Sequence, residues 1–148
     1  MILHRIWHRL FGSKQEETSF YILMSFLITF VVARLIVYLI VEDYLPDIFL
    51  TIKGVHIHHL SYGIFLLVWV GFYCLVYANT AQKLYKTAIV YGIGLGLTFD
   101  EFGMWLRLRD DYWIRQSYDA IIVISLLLIN FVYLRHFWAR LIRFFARR

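Results

Sequence analysis

Six side chains of this 148-residue chain carry most of its potential chemistry. His56, His58 and His59 crowd the run G-V-H-I-H-H-L-S-Y-G, Asp100 and Glu101 are adjacent in L-T-F-D-E-F-G-M-W-L, and Arg34 interrupts a long apolar stretch. Neutral imidazoles and anionic carboxylates together suit a divalent transition metal such as Zn, Fe or Mn, because they offset the cation's charge. On that reading His56, His58, His59, Asp100 and Glu101 are the metal ligands. Asp100 and Glu101 double as the catalytic carboxylates, and a metal-bound water is the nucleophile. Arg107, Arg109 and Arg115 then hold an anionic lipid headgroup, as guanidinium groups do for phosphate. The product of that set is a metal-dependent lipid hydrolase. The spacing H-x-H-H is only moderately specific, and no H-E-x-x-H pattern accompanies it.

The elements that must position these residues are apolar. Hydrophobic residues make up 61% of the chain and aromatic ones 20%, far beyond the soluble norm. Four apolar runs near 20–41, 59–78, 87–106 and 120–138 approach the ~20 residues that cross a bilayer. The expected fold is an all-α membrane protein, one integral membrane domain with four transmembrane helices. Basic amphipathic helices flank it at 1–12 and in the tail at 139–148. With both termini cytoplasmic, ten Lys and Arg residues, among them Lys14, Lys83 and Lys86, fall inside, and only Lys53, Arg107, Arg109 and Arg115 outside. That bias follows the positive-inside rule and places a multi-pass protein in the cell (inner) membrane. The net charge of +5 is therefore an orientation and lipid-anchoring device, not a nucleic-acid surface.

Spacing sets further expectations. Gly92, Gly96, Asp100, Gly103 and Arg107 share one face of a continuous third span, and the small residues on that face invite a neighbouring helix. Asp100 then points into protein. Arg34 lies at similar depth in the first span, where it either snorkels to the headgroups or pairs with Asp100 or Glu101. Thr18 or Ser19 caps that span, and Pro46 opens a short interfacial helix with Gly54 at its C′ position. Asn79–Lys86 reads as a polar inner loop that forces spans two and three into an antiparallel pair. Counted from the two ends of that loop, Asp100 and His59 differ in height by about six residues, or roughly 9 Å. Tilt or an inward bend must close the gap. Tyr112, Trp113 and Tyr118 suit an aromatic interface belt.

The segments H-I-H-H-L-S-Y-G-I and L-T-F-D-E-F-G-M-W-L, followed by D-D-Y-W and Q-S-Y-D-A, resemble a group of small prokaryotic integral membrane proteins of unknown function. The likeness covers roughly spans two to four and implies only that the His and Asp–Glu stretches belong together. Two classes stand beside the hydrolase: a small ion- or proton-translocating unit working as a homo-oligomer, with the acids on its path, and a non-catalytic membrane scaffold. Membrane lipids are the expected partners in every case. Cys74, the sole cysteine, allows no internal disulfide.

Overall fold

The computed structural model describes residues 13–46, 50–53, 55–77, 80–108, 115–134 and 144–145. Among them are α1 (Lys14–Val41), β1 (Thr51–Ile52), β2 (Val55–His56), α2 (His59–Val76), α3 (Ala81–Asp100), α4 (Phe102–Arg107) and α5 (Arg115–Tyr133). The fold is mostly helical. α1 and α2 are long and apolar enough to cross a membrane. The helix expected over 1–12 lies outside the described residues, as does the tail at 139–148 except Phe144 and Phe145, which are helical and exposed.

α1 starts earlier than Thr18 or Ser19 would allow. Ser13 accepts a hydrogen bond from the Glu16 main-chain N–H at 3.3 Å, and S-K-Q-E is a capping-box sequence. Its buried face carries Leu23, Phe26, Arg34, Val37 and Ile40 at helical spacing. α3 packs against that face in parallel. A methyl group at Gly92 would strike Ser25 and the Ile22 carbonyl, and one at Gly96 would lie 2.7 Å from Thr29 Cβ and 2.9 Å from the Phe26 carbonyl. Backbone contact this close needs glycine, and it brings Arg34 level with Asp100.

Gly94, on another side of α3, meets α2. Its added Cβ would lie 3.0 Å from a Leu67 methyl and 3.3 Å from the Gly63 carbonyl, while Gly63 in turn faces Thr98 and Gly94. The run G-I-G-L-G thus serves two neighbours, with α1 on Gly92 and Gly96 and α2 on Gly94. α5 leans on α1 and α4.

Three local expectations are corrected. Thr51–Ile52 pairs antiparallel with Val55–His56, Thr51 opposite His56, so no helix opening at Pro46 runs on through residues 51–52, and the mostly helical fold carries this one short strand pair among its described residues. The turn is made by Lys53 at φ 51°, and Ile57 N–H donates to the Leu50 carbonyl. Most of the expected inner loop is helix: Thr80 caps α3 by accepting from the Lys83 N–H at 3.3 Å. The third span is not continuous either, for α3 ends at Asp100 and α4 begins at Phe102.

Because the glycine faces set the helix spacing, Gly96→Leu should lower thermal stability in detergent by roughly 1–3 kcal/mol or more, the scale of overpacking. Leu95→Ile on a half-buried face should shift it by less than about 1.5 kcal/mol. Equal melting curves for the two variants would contradict the close α1–α3 contact.

Candidate functional site

Asp100 is fully buried and Glu101 is 1% exposed, although both are carboxylates in an apolar bundle. Unpaired charge in such a place costs several kcal/mol, so every oxygen needs a donor. Each has one. Arg34 donates from Nε to Asp100 Oδ1 and from Nη2 to the Asp100 main-chain carbonyl. His59 Nε2 lies 2.8 Å from Asp100 Oδ2. His58 Nδ1 lies 3.0 Å from Glu101 Oε1, and the Leu60 main-chain N–H donates to Glu101 Oε2 at 2.7 Å. His59 turns its second nitrogen, Nδ1, to Glu101 Oε1 at 3.3 Å.

Helix-end main-chain groups supply two of these five hydrogen bonds. His58 is the N-cap of α2 but makes no side-chain cap bond. Glu101, from another helix, takes that role by accepting from Leu60, one of the N–H groups that a helix start leaves unpaired. At the end of α3, Arg34 satisfies a carbonyl that has no partner within the helix. Glu101 stands at the break between α3 and α4, where Asp100 reaches both α1 and the start of α2 and Glu101 reaches the start of α2.

The roughly 9 Å offset expected between Asp100 and His59 does not exist. α3 starts at Ala81, six residues before Thr87, so Asp100 stands 19 residues above its start and His59 stands 17 above the end of α2 at Val76. Two helices of matched length bring the segments together without any inward bend.

Arg34 is held from the sides as well. Its guanidinium carbon lies 4.9 Å from the Tyr118 ring centroid and 5.7 Å from that of Phe30, within cation–π range. Tyr118 therefore serves the cluster. Its neighbour Ser117, 1% exposed, accepts from the Gly103 N–H at 2.9 Å and ties α5 to the first turn of α4. Neither role is visible in local sequence, because both depend on where α5 returns.

The remaining candidates are placed elsewhere or lie beyond description. His56 sits in β2, but its side chain is outside the described residues, as are Arg109 and the Arg115 side chain. Arg107 is exposed in the last turn of α4 and joins none of the cluster's hydrogen bonds. The break at Glu101 takes it off the face it was expected to share with Asp100. Among the described residues no group of three or more His, Cys, Asp or Glu is arranged to hold a metal ion. The donor set explains this: imidazoles and carboxylates are spent on one another.

His59 decides the chemistry. A neutral imidazole has one N–H and one lone pair, yet both of its nitrogens face carboxylate oxygens. A second hydrogen bond from this ring would take one proton beyond a neutral imidazole with two carboxylates. Of the two contacts, Nε2 to Asp100 Oδ2 at 2.8 Å is a hydrogen bond, and Nδ1 stands 3.3 Å from Glu101 Oε1, an ion-pair distance. The imidazoles are the exposed side of the cluster, His58 at 32% and His59 at 16%, while the carboxylates between and behind them are at 1% and 0%. Comparison of the chain with protein-family models, curated proteins and solved structures finds no significant match.

Removing Arg34 alone (Arg34→Met) should cost about 3–5 kcal/mol, the scale of orphaning a buried charge. The double change Arg34→Met, Asp100→Asn should cost less than the sum of the single changes by more than about 0.5 kcal/mol in a double-mutant cycle. Strict additivity would contradict the pairing.

Proposed function

We propose that this chain is a multi-pass membrane protein whose buried His–carboxylate cluster binds and releases protons from the outer side of the membrane. Of the readings open to the sequence, this is the proton-handling one, restricted to exchange with one side. The observation that carries it is the double engagement of His59 by Asp100 and Glu101. Histidine is the side chain suited to change charge near neutral pH. Loss of the shared proton would leave two adjacent buried carboxylates opposite a single arginine, so proton occupancy governs how firmly the start of α2 is held to α1 and α3.

Four crossings with cytoplasmic termini remain the topology that best suits the chain. The apolar surface supports it: α2 buries only Gly63 and Val70 among its described residues and exposes Phe65, Val68, Trp69, Phe72 and Leu75. Water-facing helices do not expose such a surface, and lipid favours it. In that orientation the cluster opens outward through His58.

A hydrolase that activates a metal-bound water needs ligand lone pairs aimed at the ion and one open position. Each of the four carboxylate oxygens already has a polar partner within hydrogen-bond distance, which supports proton exchange over the hydrolase.

In vesicles with the chain oriented termini-inward, stepping the outer pH across the range where histidine changes charge should make wild type exchange about one proton more per chain than His59→Gln. Stepping only the inner pH should not. Equal proton counts would overturn the proposal, and a response to inner pH alone would reverse its sidedness. Stoichiometric Zn, Fe or Mn in the purified protein, lost on combined His58→Ala and His59→Ala substitution, would favour the metal reading instead.

A further inference from the structure

The groove between α2 and α3, at the end opposite the cluster, is amphipathic along its length. Its volume is about 380 Å³. Lys83 and Lys86 stand at its mouth, both exposed, and Lys83 Nζ donates to the Tyr77 carbonyl at 3.4 Å. The floor is made by Val70 and Thr87, both buried. From Lys83 to Val90 on one wall, and from Tyr73 to Leu66 on the other, is seven residues, so the groove runs about 10 Å from the lysines into apolar surroundings. Two ammonium groups above an apolar trough match a phosphate above an acyl chain.

We infer that this groove binds an anionic phospholipid of the inner leaflet, with its phosphate on Lys83 and Lys86 and an acyl chain along Val70 and Val90. The inference rests on the membrane topology proposed above and is independent of the proton cluster. Charge complementarity selects the occupant: a zwitterionic lipid would bring its own cation to two lysines. Trp69 and Tyr73 line the same trough, and amphipathic rings of this kind favour the headgroup level.

The test is native mass spectrometry of the full chain in detergent, titrated with dioleoyl phosphatidylglycerol or dioleoyl phosphatidylcholine. Phosphatidylglycerol should bind about tenfold tighter or more, because each lysine near an anionic group contributes about fivefold. Lys83→Gln with Lys86→Gln should remove that preference. Lys14→Gln, a same-side charge that does not line the groove, should change it clearly less than the loss of the lysine pair. Val90→Trp, with helix content checked by circular dichroism, should block lipid while keeping both lysines. Equal binding of the two lipids, equal losses for Lys14 and the lysine pair, or full binding by Val90→Trp would each overturn the site. Alkaline carbonate washing of proteoliposomes separates the causes. A chain that washes off refutes the membrane topology and the site together, whereas a chain that stays without lipid preference refutes the site alone.

Discussion

Two adjacent carboxylates buried in an apolar bundle set the terms for everything around them. Asp100 and Glu101 cannot remain charged there without donors. The surrounding elements therefore converge to provide them. α1 contributes a guanidinium, the start of α2 contributes two imidazoles and a main-chain N–H, and α5 contributes an aromatic ring beneath the guanidinium. At the helix break Asp100 reaches both Arg34 of α1 and His59 of α2, and Glu101 reaches His58, His59 and Leu60 at the start of α2. Glycine contacts lower in α3 then fix the spacing at which these bonds close.

Much of this convergence was legible in the sequence. Small residues at four-residue steps before an acid signal a helix face pressed against another backbone, and Gly92 and Gly96 meet α1 as that pattern implies. The polar segment near residue 80 signals an antiparallel pair, and α2 and α3 form one. What local pattern hid was position along the helix. A-Q-K-L-Y-K looks like loop because it is polar, yet Thr80 starts a helix there, and six extra residues remove the expected height difference. Ser13 was overlooked for the same reason: a capping box lay outside the apolar run that marked the span.

Other features could not be read locally at all. Glu101 caps a helix to which it does not belong, and Ser117 and Tyr118 act on α4 and Arg34 across the bundle. Such partners depend on tertiary return, and sequence periodicity carries no information about it. The strand pair of 51–52 with 55–56 was obscured by Pro46 and by a following glycine that fits a helix end equally well. Arg107 shows the opposite error. Its spacing from Asp100 is helical, but the helix that would have aligned them stops between the two.

The balance of charge gives the cluster its functional character. Arg34 offsets one carboxylate; under the proposed function a proton shared through His59 offsets the other, and the site is neutral while that proton stays. Direct observation of the proton is the most telling measurement: solid-state ¹⁵N spectra of the histidine rings and ¹³C spectra of the Asp and Glu carboxyls, recorded in lipid bilayers and assigned with His59→Gln and Asp100→Asn. The expected result is either a His59 ring with both nitrogens protonated between two carboxylates, or a neutral ring beside one protonated carboxyl. A neutral His59 between two ionised carboxylates would contradict the shared proton and leave the cluster a purely structural clamp.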